Sequence, residues 1–395
     1  MITLLGWLFS ALLILIVMPV LVLFVQVLLA CLPARSRTST QVSRPRVAVL
    51  VPAHDESSII VATLNSIRAQ LREGDRLLVV ADNCSDDTAA VARAAGAEVV
   101  ERSDERQRGK GYALDFGVRH LASAAPDVLI IIDADCQVGE GAIERLAKRC
   151  LETGRPVQAL YLMHAPADSG LKVRLAEFAW CVKNLVRPRG WALLGLPCPL
   201  MGSGMAFVWR DLALIDLASG HLVEDLKMGL DFCRGGKPPL FCPEALVSSY
   251  FPRSDEGLST QRKRWEHGHL GVILGDTPKL VAESIRRRNW SLLVMTLDVV
   301  VPPLALLTLV LAAAFSLSWL VFFLGGALTP ALIATIGMTL LSVAILLAWG
   351  QFGRGILSFS ALMYAPFYAL KKIPLYLGFL VKRQVEWVRS KRDDS

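Results

Sequence analysis

The sequence predicts an α/β domain with a doubly wound, mainly parallel sheet, held between transmembrane helices. Three observations predict it. Through the middle of the chain, short apolar runs that end in polar turns alternate with helical stretches, the pattern of strands buried on both faces and their crossover helices. Residues 2–32 and 299–353 contain no charged side chain. Basic residues gather beside those two blocks rather than on the domain between them. The chain has 395 residues, 53% hydrophobic and only 19% charged, with a mean hydropathy of +0.46, which argues against a freely soluble enzyme and against disorder.

A membrane helix needs about 20 apolar residues, so 1–33 holds one long or tilted span and 289–353 has room for two. The first block lacks a basic leader and outruns the ~7–15-residue apolar core of a signal peptide. Arg35, Arg37, Arg44 and Arg46 follow the first span, Arg286, Arg287 and Arg288 precede the second, and Arg354 follows the third. The positive-inside rule puts those flanks, and the domain 44–285 between them, in the cytoplasm. The last segment, 355–395, carries an apolar stretch, 355–381, broken by Lys371 and Lys372. Lysines at mid-depth are costly, so an in-plane or re-entrant helix anchored by Tyr364, Tyr368 and Tyr376 is expected there, ahead of a basic cytoplasmic tail from Lys382. The net charge of +7 arises in these flanks and leaves the domain mildly acidic. A nucleic-acid partner, which needs a basic patch on the folded domain, is therefore not expected. The eight cysteines have no zinc-ligand spacing and read as buried thiols.

Within the domain, strands are expected at Arg46–Pro52, Arg76–Ala81, Ala97–Val100 and Val128–Ile132, and helices at 57–70, 86–95 and 110–124. Such sheets bind ligands beyond the carboxyl ends of their strands. Polar clusters stand at those ends: His54, Asp55 and Glu56 after the first strand, Asp82 to Asp87 after the second, and Asp133-Ala134-Asp135 after the fourth. Ser85 and Asp86 suit the cap of the next helix. No G-x-G-x-x-G follows the first strand, and Arg108-Gly109-Lys110-Gly111 lacks the Walker spacing, so neither a dehydrogenase nor a P-loop kinase is indicated.

Two carboxylates on a short turn, Asp133 and Asp135, are hard oxygen ligands suited to Mg²⁺ or Mn²⁺ bridging a diphosphate. Glu224 and Asp225 open a helical run to Cys233; they read equally as a helix start and as a general base. Gln261, Arg264 and Trp265 share a predicted helix, where Arg264 offers a forked donor for a diphosphate and the indole a flat wall for a sugar ring. His267 and His269 at i and i+2 point to different sides of that helix, which disfavours a shared metal. Residues 171–192, with Trp180 and Trp191 among five basic side chains, read as a membrane-surface helix or an amphipathic core helix.

In this order, Pro52-Ala53-His54-Asp55-Glu56, Asp82 to Asp87, Lys110-Gly111, Asp133-Ala134-Asp135, Glu224-Asp225 and Gln261-x-x-Arg264-Trp265 resemble the membrane-bound family 2 glycosyltransferases. That family includes cellulose, hyaluronan and poly-N-acetylglucosamine synthases and bacterial exopolysaccharide transferases. The resemblance covers roughly 46–275 and implies a GT-A, Rossmann-like nucleotide-sugar domain. It implies that Pro52, Ala53, Glu56, Asp82 and Lys110 bind the nucleotide sugar, that Asp133 and Asp135 hold it through Mg²⁺ or Mn²⁺, and that Asp225, beside Glu224, is the base. It assigns Gln261, Arg264 and Trp265 to the diphosphate and acceptor, and Gly202, Ser203 and Gly204 to an acceptor wall; of the two histidines, one is expected at the acceptor entrance and one in a structural role. Ala53-His54-Asp55-Glu56 and Ala81 to Asp87 depart from the family's commoner Y-N-E and D-D-G-S-x-D. The implied activity is hexosyl transfer from a nucleotide sugar, most simply a UDP-sugar, to a lipid-linked or growing glycan acceptor at the cytoplasmic face of a bacterial inner membrane, with membrane lipid as a further partner. One in-line displacement inverts the anomeric centre, and no motif nominates the nucleophilic carboxylate that retention needs. Three alternatives accompany it: a processive polysaccharide synthase, a glycolipid synthase acting on ceramide or diacylglycerol, and a non-catalytic scaffold.

Overall fold

A computed structural model describes residues 2–33, 43–221 and 223–381. Arg35, Arg37 and the tail from Lys382 lie outside the described residues. The helices are α1 (Ile2–Ala30), α2 (Ile60–Arg68), α3 (Thr88–Ala94), α4 (Lys110–Leu121), α5 (Ala142–Thr153), α6 (Leu171–Cys181), α7 (Arg187–Leu193), α8 (Glu224–Arg234), α9 (Asp255–Gly275), α10 (Thr277–Arg286), α11 (Trp290–Val299), α12 (Leu304–Phe323), α13 (Leu328–Ala348), α14 (Phe359–Met363), α15 (Ala365–Leu370) and α16 (Ile373–Val381). The strands are β1 (Val47–Ala53), β2 (Arg76–Asp82), β3 (Glu98–Arg102), β4 (Val128–Ile131), β5 (Gln137–Val138), β6 (Val157–His164), β7 (Met205–Val208) and β8 (Leu240–Tyr250).

The strands form one sheet in the order β3-β2-β1-β4-β7-β6-β8-β5. Both faces are covered, and β1 shows how: Val47, Val49 and Val51 join one core, while Ala48 and Leu50 join the other. That alternation explains the continuous apolar runs. The half from β3 to β4 is parallel throughout. The other half departs from the expected mainly parallel sheet, because β7 runs antiparallel to both β4 and β6, and β5 antiparallel to β8. Gly202 and Gly204, with φ of 89° and 72°, take left-handed values that let the chain turn sharply into β7.

Among the described residues, three helices are long and apolar enough to cross a membrane: Gly6–Ala30, Leu304–Phe323 and Leu328–Gly353. They pack together through Val20, Leu23, Leu307, Leu311 and Leu341. The segment 355–381 is not one in-plane helix; it breaks into α14, α15 and α16, each far too short to span. Residues 171–192 are likewise not a free surface helix. Leu175, Phe178 and Val182 are buried in the core shared with the long apolar helices, and a Cβ on Gly190 would lie 2.1 Å from the Gln26 carbonyl oxygen. The segment is a bridge between the sheet and the first long helix. At its centre Arg187 donates to the Asp298 carbonyl at 2.6 Å and pairs with the Asp298 carboxylate, while Gln26 donates to Asp298 at 2.8 Å and accepts from Arg187 at 3.1 Å. All three side chains are buried. The eight cysteines form no disulfide, and six of them are buried.

Candidate active site

Beyond the carboxyl ends of β1, β2 and β4 opens a cavity of about 1730 Å³. At one end the loops after β1 and β2 brace each other. Asp55 accepts from the Ser85 and Asp86 amides at 2.6 and 3.3 Å, and Asp86 accepts from the Ser57 and Thr88 amides at 3.2 and 2.9 Å. Desolvation works against the Asp86 carboxylate, yet the hydrogen bonds from Thr88 and Ser57 win and lower it to about 2. Asp86 therefore ties two loops together as well as serving the start of α3, and Ser85 binds Asp55 instead of capping. Asp82 is buried and held by Arg102 at 2.6 Å and Asn83 at 3.1 Å. Burial raises its carboxyl despite Arg102. Arg102 was not singled out in the sequence, although its place at the carboxyl end of β3, opposite Asp82 in register, is a signal that could have found it.

The centre is a charge cluster around a glycine. Lys110, at the start of α4, donates to the Gly202 carbonyl at 2.7 Å, is paired with the Asp133 carboxylate and stands 3.9 Å from Glu224. A Cβ on Gly202 would lie 3.5 Å from Asp225, 3.6 Å from the Lys110 ammonium and 3.7 Å from Asp133. Four elements distant in sequence thus meet within a few ångströms, at a point where no side chain intrudes. Burial opposes the Lys110 charge, but Asp133 and Glu224 hold it above the ordinary lysine range. Burial, followed by Asp225, pushes the Glu224 carboxyl up against the pull of Lys110. Burial also raises Asp133, with Lys110 opposing.

At the far end, α9 presents Gln261, Arg264 and Trp265 to the cavity. The Trp265 ring lies 4.8 Å from that of Trp180. The buried Gln261 Oε1 has no hydrogen-bond partner, an acceptor available to a ligand. The helix is fixed from behind by the 355–381 segment. Arg262 donates to the Tyr368 hydroxyl at 2.6 Å, Glu266 pairs with Lys372, and His267 meets the Leu375 carbonyl at 3.2 Å. Lys372 is therefore matched to a carboxylate, which accounts for a lysine inside an apolar stretch. His269 instead lines the cavity, with Nε2 2.8 Å from the Val299 carbonyl.

Pro52, Ala53, Glu56, Asp82, Lys110, Asp133, Asp135, Gly202, Glu224, Asp225, Gln261, Arg264 and Trp265 all line this single cavity. Ser203 and Gly204 do not. Ser203 is fully buried and accepts from the Asp133 amide at 3.0 Å, and a Cβ on Gly204 would meet Ala159 at 2.5 Å. They support the Asp133 turn from behind rather than walling the cavity. The ligand atoms of Asp133, Asp135 and Cys136 lie within 4.8 Å of one another. Burial holds the Cys136 thiol well above its usual range and so protonated, leaving two hard carboxylates. That donor set fits Mg²⁺ or Mn²⁺ rather than a soft metal.

A mixed α/β sheet with convergent carboxylates at its strand ends defines a GT-A-type nucleotide-sugar fold. The profile described as glycosyltransferase-like family 2 matches residues 45–268, more than half of the chain, and the protein belongs to that family. The poly-β-1,6-N-acetyl-D-glucosamine synthase of Staphylococcus aureus is 25% identical over 249 residues, 58% of this chain and 56% of its own length. An uncharacterized glycosyltransferase of Mycobacterium bovis is 38% identical over 122 residues, 29% of this chain and 51% of its own. The chain thus spans about half the length of the curated relatives it matches. Among solved structures, a mannosyltransferase of Pyrobaculum calidifontis, in complex with GDP-Man and Mn²⁺, superimposes with a TM-score of 0.57 at 16% identity. The match covers 95% of this chain and 100% of that one, a likeness of fold along nearly the whole molecule.

Proposed function

We propose that this chain is an inverting, metal-dependent glycosyltransferase that moves a sugar from a nucleotide donor, most simply a UDP-sugar, to a membrane-associated glycan. The observation that carries the reading is the meeting of Asp133, Lys110 and Asp225 around Gly202, midway between the loops after β1 and β2 and Trp265. Glu56 and Asp82 hold the nucleoside, with Arg102 fixing Asp82. A divalent ion held by Asp133 and Asp135 supplies charge neutralisation to the diphosphate when bound. Lys110 and Arg264 add fixed positive charge where the leaving group gains negative charge. Asp225 takes the proton of the acceptor hydroxyl. That oxygen attacks the anomeric carbon, the bond to the diphosphate breaks, and the nucleoside diphosphate leaves with the electron pair. One displacement inverts the centre.

The catalytic domain works from the cytoplasmic side, and 44–285 is the enzyme proper between one preceding and two following spans. The Staphylococcus relative is a polysaccharide synthase by name, which favours a glycan over ceramide or diacylglycerol as acceptor. The test is a donor screen in membranes supplied with Mg²⁺ or Mn²⁺, reading released nucleotide and product size together. Asp225→Asn is expected to reduce transfer by about 10²–10⁴. Equal turnover by wild type and this variant would sink the reading, and a ladder of products would mark it as processive.

A further inference from the structure

We propose that α11 lies in the plane of the bilayer surface as a docking face for anionic lipid, with Arg286 and Arg288 on the headgroups and Trp290, Leu293, Val294 and Leu297 against the outer part of the acyl chains. The inference goes beyond the glycosyltransferase reading and needs only that the long apolar helices sit in a bilayer. It gives α11 the in-plane place expected at 355–381 from the sequence.

α11 is apolar on two opposite faces, and the protein covers one of them. Leu292 and Met295 are fully buried with Leu230 and Cys233 of α8 and Leu280 of α10, and Thr296 and Val299 are buried on the same face. On the opposite face Trp290, Leu293, Val294 and Leu297 follow the i, i+3, i+4, i+7 spacing of a single helical stripe. Trp290 is 72% exposed and the other three are half-buried. None of the four belongs to a hydrophobic core among the described residues. A stripe of this kind is unfavourable in water and favourable in lipid. Ten residues reach only about 15 Å, half of a ~30 Å hydrocarbon core, so α11 cannot cross. Pro302 and Pro303 stop it from running on into α12, which begins at Leu304. A short apolar helix joined by a bend to a long one, with its outer stripe uncovered, fits the plane of the interface.

The charges at its head name the lipid. The turn into α11 is fixed by Asn289, which accepts from the Leu292 amide at 3.0 Å and donates to the Cys233 carbonyl at 2.8 Å. Just before it stand Arg286, Arg287 and Arg288, all exposed. Glu283 takes Arg287 at 3.4 Å and Arg234 at 3.0 Å. Arg286 and Arg288 make no ion pair among the described residues, and the neighbouring Ile285 is 65% exposed. Other basic flanks are engaged: Arg44 pairs with Asp75 at 2.6 Å, and Arg354 lies 5.6 Å from the Trp349 ring. Two unmatched guanidinium groups next to an exposed indole and an exposed isoleucine suit phosphate headgroups above and acyl chains below. Because α8 shares the buried face of α11 and is tied to α10 through Arg234 and Glu283, docking α11 also sets how the sheet domain stands on the membrane.

The test places the full chain in nanodiscs of phosphatidylcholine, alone or in equal mixture with phosphatidylglycerol. The emission lost in Trp290→Phe is the signal of Trp290 itself. Acyl chains brominated near the carbonyl are expected to quench that signal at least about twofold more than chains brominated near the methyl end. Moving the reporter along the helix, in Trp290→Phe with Leu297→Trp, is expected to keep the same order, as an in-plane helix requires. A signal that neither lipid quenches, or that the deep bromines quench more, overturns the in-plane placement. Melting temperatures report folding and read the headgroups. Phosphatidylglycerol is expected to raise the wild-type melting temperature by roughly 3 °C or more, and Arg286→Gln with Arg288→Gln to hold the gain below about 1 °C. No gain in wild type, or a gain that survives in the double variant, overturns the anionic-lipid part.

Discussion

The two ends of the cavity are built differently. The end formed by the loops after β1 and β2 is made of short connections, each braced by neighbours such as Asp55, Asp86 and the Asp82–Arg102 pair. The membrane-side end is assembled from segments far apart in the chain: Gln26 of α1, Arg187 of α7, His269 of α9 and Asp298 of α11. Its stability depends on buried charges meeting partners across more than 100 residues, as Arg187 and Asp298 do. The first design is local and tolerant of change elsewhere. The second couples this end of the cavity to the way the long apolar helices pack.

Variants separate the two ends. The largest effect is expected at the shared centre: Asp133→Asn together with Asp135→Asn should abolish Mn²⁺-dependent protection by nucleotide. In a melting experiment wild type gains stability as RT ln(1 + [L]/Kd), roughly 2.7 kcal/mol at a hundredfold excess over Kd, and the double variant gains none. Persistence of the Mn²⁺-dependent shift would move the metal elsewhere. Next comes Arg187→Met, which leaves Asp298 buried without its counter-ion and should cost roughly 3–5 kcal/mol. The paired change Arg187→Met with Asp298→Leu should recover most of that. If the single and paired variants melt alike, the bridge between sheet and membrane helices is not held by this pair. The Glu266–Lys372 pair, with side chains 12% and 16% exposed, should show a coupling of about 1–3 kcal/mol in a double-mutant cycle. Its loss should raise the KM for donor and acceptor together, since α9 carries Arg264 as well as Trp265.

The same division decided what could be read from the sequence. Strands β1, β2 and β4 were legible because both faces are buried and each ends in a polar turn, while the edge strand β3, only half-buried, was legible from its short apolar run before Glu101. Asp133, Asp135, Asp225 and Arg264 stood out because metal ligation, proton abstraction and diphosphate binding would call for those residue types, and the fold brings all four to one cavity. The strands β5, β6 and β8 were not foreseen: β8 carries a proline, and a register irregularity at Ala159 breaks its pairing with β6. Ser203 and Gly204 belong to a small-residue motif whose three members have three different tasks, and only the folded turn tells them apart. Asp298 stands beside an uncharged block, and Lys372 breaks an apolar stretch. Each is explained by a partner more than 100 residues away, and no local pattern carries that information.

Near neutral pH the smallest expected effect is at the His269 end of the cavity, and it is read through pH. Burial, with Lys183 and then Arg187 adding positive charge nearby, lowers His269 to about 3 against the pull of the Val299 carbonyl. The imidazole stays neutral in the folded protein, while in the unfolded chain it takes up a proton near its ordinary value of about 6.5. The unfolded state therefore binds more protons below that value, and the His269 contribution to stability, complete above pH 6.5, declines as pH falls toward 3. The slope is roughly 1 kcal/mol per pH unit below 6.5. Melting curves of wild type and His269→Gln in detergent should diverge in pH dependence below about 6.5 and run parallel above it. Curves that stay parallel throughout would mean that His269 charges in the folded protein, so that this end of the cavity is more open to water than its packing against Val299 indicates.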